Sequence, residues 1–173
     1  MNQAALATDH QTIWGAEEEL SVLTFNLNGE TFAIEAIVVQ EILDLLPETH
    51  VPGSKPFVSS VINFRGKVIP LADIRLAFGM EATTTTIDSR IIVIELDIDG
   101  EPTLTGIRTD KVHEVTTLEK SHGEPPPSVG MRWRPDFIDC LVRRHGEFII
   151  IPNLKTIFSA QNERGGEASV GRN

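Results

Sequence analysis

The chain has 173 residues, 40% of them hydrophobic, with 25 acidic against 15 basic side chains and a formal net charge of −10. That length suits one compact unit or two small intimate ones and excludes a large multidomain enzyme. The acidity repels phosphate backbones and anionic headgroups, so a protein partner is expected, and neither nucleic acid nor a bare membrane surface.

Residues 1–17 show no periodicity and no basic segment leading into an apolar run, so they read as a disordered tail and not as a secretory signal. The folded part is expected over residues 18–160. It opens with SVLTFNLNGETFAI, two alternating runs around Asn28-Gly29, the dipeptide that best supplies the positive φ angles of a type I′ turn. A two-residue hairpin there sets Phe25 opposite Phe32 and Leu23 opposite Ile34. AIVVQEIL follows, with Glu41 among apolar neighbours. The next unit, VINFRGKVIPLADIRLAF, reads as strand, turn at Arg65-Gly66, strand, proline and a short helix capped by Asp73, with Ile74 and Phe78 spaced to bury one stripe. Residues 83–89 (TTTTIDS) form a polar connection.

The second half repeats the order. RIIVIELDIDGEPTLTGI turns at Asp99-Gly100, residues 121–137 make a proline-rich loop, and DCLVRRHGEFIIIPNLKTIF turns at His145-Gly146 before a helix capped by Asn153. Beside that last turn Arg144 and Glu147 stand as an oppositely charged cross-strand pair. Residues 161–173 are polar, glycine-rich and read as a second disordered tail. The fold class expected is all-β: two similar subdomains of five or so strands, a cleft where they meet, and short helices plugging the barrels.

Chemistry-bearing patterns are absent. There is no GxGxxG or Walker loop, no HExxH, no CxxC and no GxSxG, and the five histidines are scattered without ligand spacing. No catalytic residue, metal or cofactor is therefore assigned. The single cysteine, Cys140, excludes an intrachain disulfide, agrees with a reducing compartment and reads as a small buried hydrophobe. The longest apolar stretches, IIVIEL and FIII, fall far short of the roughly 18 to 20 residues of a spanning helix. A cytoplasmic protein without direct membrane insertion is expected.

Two residues sit where the core does not want them. Arg65 holds the first position of a turn that prefers asparagine, aspartate or glycine, so either the loop is wider than two residues or local strain is tolerated. Glu41 needs a partner if it is partly buried. An ion pair between them answers both.

Three segments then combine into a familiar pattern. VQEI, NFRG with PLADIR, and GIRTDKVHEV, in that order and spacing over residues 18–160, resemble the VxEI, NLRG with PxxDLR, and GxxVDxVxxV segments of the CheW family of chemosensory adaptors. The resemblance implies a non-enzymatic scaffold, a single domain of two intertwined five-stranded SH3-like barrels around a hydrophobic groove. Its implied partners are the regulatory domain of a CheA-type histidine kinase and the cytoplasmic hairpin tip of a methyl-accepting chemoreceptor, met in arrays at the inner membrane. Carried over by motif, Val39, Gly106, Val112 and Val115 are candidates for the receptor groove. Glu41, Asn63, Arg65 and Gly66 shape the kinase- and receptor-facing surface. Departures include Ser60, Ala33 and Phe64 for the more common glycine, small residue and leucine, and Arg108 with Thr109 where apolar residues are common. Arg108 places a charge near the expected groove, and Trp133 in the proline-rich loop is a possible extra contact. They leave an alternative, a CheW-like module of another pathway, such as pilus motility or development, with a kinase or other non-receptor partner.

Overall fold

The computed structural model describes residues 13–81, 83–127 and 133–161. The tail residues 1–12 and 162–173, and residues 128–132 of the proline-rich loop, lie outside the described residues. Among the described residues, twelve strands form two six-stranded sheets. The first contains β1 (Glu19–Leu27), β2 (Glu30–Glu35), β9 (Lys111–Glu119), β10 (Gly123–Glu124), β11 (Ile138–Arg144) and β12 (Glu147–Pro152), in the order β10-β11-β12-β2-β1-β9. The second contains β3 (Val39–Asp44), β4 (Thr49–His50), β5 (Val58–Phe64), β6 (Lys67–Ala72), β7 (Arg90–Ile98) and β8 (Glu101–Thr109), in the order β3-β7-β8-β6-β5-β4.

All four expected hairpins form, with the expected register at the first: Phe25 faces Phe32 and Leu23 faces Ile34. Each has a two-residue turn whose first residue, Asn28, Arg65, Asp99 or His145, has φ between 51° and 53°, followed by a glycine between 78° and 85°. Asparagine, aspartate and histidine tolerate that left-handed region; arginine is strained in it. The loop at Arg65 is thus not wider than two residues, and the strain is real.

The duplication is present, but its two halves exchange hairpins. The leading hairpin of the first half, β1–β2, joins β9–β12 of the second, through a parallel contact of Phe32 with Ile150. The leading hairpin of the second, β7–β8, joins β3–β6 of the first through a parallel contact of Leu71 with Gly106. The two subdomains are thus interlocked, as expected, and each sheet has six strands.

Side-chain alternation then feeds three cores. In β7, Ile91 and Val93 point into the second sheet's own core with Ile62, Phe64, Ile69 and Leu71. Ile92, Ile94 and Leu96 point the other way, into a core shared with Leu23, Phe25, Phe32 and Ile150 of the first sheet. Burial of both faces is why IIVI, residues 91–94, is an unbroken apolar run. The junction of the sheets is packed by this shared core. The two short helices seal this shared core: Ile74 and Phe78 of the 3₁₀ helix Ile74–Phe78, and Leu154 and Ile157 of the helix over residues 154–161, all lie in it.

The first sheet's own core is filled by a residue assigned to the tail. Trp14, 4% exposed, packs with Leu20, Val22, Leu118, Cys140 and Ile151, and a turn holds it, with the Glu17 N–H donating to its carbonyl at 2.9 Å. Order therefore begins earlier than residue 18. Cys140 is buried as expected, and burial pushes its thiol up to about 11.

Candidate functional site

The VQEI segment and the Arg65 turn come from opposite sides of the second sheet's strand order, yet Glu41 Oε2 lies 3.1 Å from Arg65 Nη2. A bulge between Val39 and Glu41 bends β3 and re-aims the carboxylate, and the sheet curls to close the distance. Asn63 Oδ1 accepts from the Gly66 N–H at 3.0 Å, which holds the turn, and the Arg65 guanidinium lies over the Phe64 ring at 5.0 Å. The expected pair is formed, with both side chains open to solvent, Arg65 at 69% and Glu41 at 38%. Exposed Ile42 lies next to Glu41 in β3, and exposed Val68 lies in β6, which follows the Arg65 turn.

The same device recurs in the first sheet. VHEV matches VQEI, a bulge opposite Thr24 again precedes the glutamate, and Glu114 Oε1 sits 3.6 Å from Arg144 Nη1. Thr24 Oγ1 donates to the Glu114 carbonyl at 3.1 Å and steadies the bulge. Arg144 and Glu147 do stand opposite in register, but the recorded ion pair of Arg144 is with Glu114.

The groove candidates separate. Gly106 is buried inside the second sheet's core, where an added Cβ would lie 3.0 Å from Ile91 Cγ2 and 3.3 Å from Ile62 and Leu71. It is a packing position rather than groove lining, needed because β8 crosses closely between these side chains. Val39 and Val112 are half-buried against the shared core, whereas Val115 is 63% exposed on the outer strand β9. Arg108 carries no unpaired charge: its Nη2 bonds Glu48 Oε2 at 2.5 Å. Trp133 is not displayed as a contact either, since its ring packs 5.3 Å from Phe78 and 6.5 Å from Phe32.

The most buried ionic group lies in PLADIR. Arg75, 2% exposed, donates from Nε and Nη2 to both carboxylate oxygens of Asp73 at 2.7 Å and from Nη1 to Asp110 Oδ1 at 3.2 Å. Thr83 joins through hydrogen bonds to Arg75 and, at 2.5 Å, to Asp110. Asp110 Oδ2 also accepts from the Asn28 N–H at 2.7 Å. The network ties the end of β6 to the β8–β9 turn and the tip of β1–β2, hence one sheet to the other. The motif's aspartate and arginine thereby acquire a structural reason that spacing alone did not show.

A cleft of 510 Å³ remains open at the sheet junction, lined by Val38, Leu96 and Leu154 with Glu35, Asp139 and Lys155. Burial, then the neighbouring Glu35, pushes the Asp139 carboxyl up to about 6, against the hydrogen bond from Asn153 Nδ2 at 3.0 Å. Burial raises Glu35 too, with Lys155 opposing. A carboxyl raised above its unfolded value favours the fold while protonated, and that contribution is lost as pH rises from about 4 through about 6. Asp139→Asn is therefore expected to stabilise the protein at pH 7.5 by up to about 3 kcal/mol and to change little at pH 4. Urea unfolding at both pH values checks this, and a destabilised variant at pH 7.5 contradicts it.

Residues 21–162 match the family model for the CheW-like domain. The chain belongs to the CheW-like family. It is 26% identical to the chemotaxis protein CheW of Rhizobium meliloti over 90% of this chain and 95% of that one, and 26% identical to CheW of Bacillus subtilis over 83% and 89%. The crystal structure of the scaffolding protein TtCheW from Thermoanaerobacter tengcongensis superposes with a TM-score of 0.70 at 31% identity, covering 80% of this chain and 92% of that one. As a CheW-like protein the chain is a coupling adaptor of a chemosensory system. No helix among the described residues is long and apolar enough to cross a membrane.

Sequence reasoning found Glu41 and Arg65 but missed Arg75, Trp14 and the Glu114–Arg144 pair. An arginine inside IRLAF, a tryptophan in a polar stretch, and the echo of VQEI in VHEV were the signals.

Proposed function

We infer that this CheW-like chain bridges the regulatory domain of a CheA-type histidine kinase and the cytoplasmic hairpin tip of a methyl-accepting chemoreceptor, by binding alone and without catalysis. The receptor arrays beneath the inner membrane are its place of work. The observation that carries this reading is the Glu41–Arg65 pair, held in solvent on a strained turn. Strain kept on an exposed arginine serves a contact better than it serves the fold. Glu41, Asn63, Arg65 and Gly66 shape the tip that faces kinase and receptor. Val39, Val112 and Val115 contribute to receptor contact, Val115 as the exposed member.

Arg65→Asn tests it. Asparagine suits the left-handed turn, and an exposed ion pair is worth at most about 1 kcal/mol, so stability should hold or rise slightly. Binding to the kinase regulatory domain, measured by calorimetry, should weaken about tenfold or more. Unchanged affinity with a well-folded variant removes Arg65 from the interface.

A further inference from the structure

One wall of the cleft at the sheet junction is the start of the helix over residues 154–161, whose Leu154, Lys155 and Thr156 line it. Asp139 enters the same cleft from a bulge in β11 between Ile138 and Cys140, the kind of irregularity that re-aims a side chain. Its Oδ1 accepts from Asn153 Nδ2 at 3.0 Å. Asn153 in turn starts the helix: its Oδ1 accepts from the Thr156 N–H and its carbonyl from the Ile157 N–H, both at 3.0 Å. One asparagine side chain therefore has its amide nitrogen on the carboxyl and its oxygen on the first turn of the helix.

The charges around Asp139 do not balance. Glu35 faces it from the end of β2, and Lys155 is the one cation lining the cleft. The Ala36–Val38 turn, β7 and β12 bring only apolar side chains, among them Val38, Leu96 and Ile151. Cys140, the next residue, is a neutral thiol raised to about 11. Two carboxyls thus share apolar walls with a single ammonium, and burial is the first cause that raises each of them.

We propose that Asp139 and Asn153 form a proton-controlled latch on the helix over residues 154–161, closed while Asp139 is protonated and loosened when it ionises beside Glu35. Opening the helix removes one wall of the cleft and lets water reach both carboxylates, so ionisation favours the open form. The ionised carboxylate holds Asn153 more firmly, but burial and Glu35 outweigh that bond, because Asp139 lies at about 6 and not at its usual value of about 4. The closing contribution is present below about pH 4 and lost as pH rises through about 6. Opening withdraws Leu154 and Ile157 from the shared core and parts the edge contact of Phe158 with Phe57, whose ring centroids lie 5.3 Å apart. The latch is independent of the Glu41–Arg65 tip. It locates in one element a pH dependence that unfolding of the whole chain reports only in bulk.

The test is amide hydrogen exchange of the full chain, followed by NMR and expressed as protection factors so that the intrinsic pH dependence of exchange is removed. The amides of residues 157–161 should be less protected than those of β7, and their protection should fall up to about a hundredfold between about pH 4 and about pH 7.5, tenfold for each unit by which Asp139 is raised. Asp139→Asn keeps an oxygen for Asn153 and should leave these amides protected at both ends of the range. Glu35→Gln, which removes the like charge, should reduce the fall. Helix amides as protected as those of β7 at every pH overturn the proposal, because the helix then opens only with the whole fold. A fall that survives in Asp139→Asn, or one undiminished in Glu35→Gln, overturns it too, since the proton then acts elsewhere than at this carboxyl pair.

Discussion

Arg75→Ala is expected to lose about 3 to 5 kcal/mol of stability, the usual cost of removing one partner from a buried ionic group. The substitution strands Asp73 and Asp110 with their charges at the junction of the sheets, because Arg75 supplies three of the contacts that hold them. It also frees the 83–89 connection, where Thr83 hangs on the same network. Chemical denaturation should show a lower midpoint with an unchanged slope if the two sheets still unfold together. A loss below about 1 kcal/mol would mean that the network is no stronger than an exposed ion pair and that the shared apolar core alone joins the sheets. The arginine would then be kept for another reason.

Trp14→Ala should cost a similar amount, about 3 to 5 kcal/mol, by leaving a cavity in the first sheet's own core. The indole packs against Gly123, where an added Cβ would lie 3.5 Å from its Cζ2, and it belongs to the same cluster as Cys140. Cys140 therefore supplies a second readout. Burial raises its thiol to about 11 and hides it from reagents. Removing Trp14 should let a thiol reagent reach it far faster. Stability within about 1 kcal/mol of the unaltered protein, together with an unreactive Cys140, would show that the sheet closes without its plug.

How much of this was legible in the sequence depends on the range of each interaction. Hairpins were legible because Asn28-Gly29 and its equivalents act within four residues, and the alternation on either side fixes the register. The Glu41–Arg65 pair was legible because two residues each posed a local problem that the other solved. The exchange of hairpins between halves was not, since β1–β2 and β7–β8 present the same apolar faces and nothing local chooses the sheet they join. The cross-strand placement of Arg144 opposite Glu147 was legible, whereas its ion pair with Glu114 was not, because the bulge in β9 brings that carboxylate from the far edge. Gly106 was taken for groove lining on its motif, while the close approach of Ile91 that excludes a side chain there exists only after long-range packing. Trp14 had no periodic neighbours to place it, so only the assembled core reveals its role.

The bridging role admits a direct test. Calorimetric titration of the protein with the regulatory domain of its cognate CheA-type kinase, then with a soluble chemoreceptor hairpin tip, should give two independent saturations, the second unaffected by the first. Loss of receptor binding in Val115→Asp, with kinase binding retained, would assign the two partners to separate surfaces. Failure of either partner to bind the unaltered protein, or displacement of one by the other, would contradict the account.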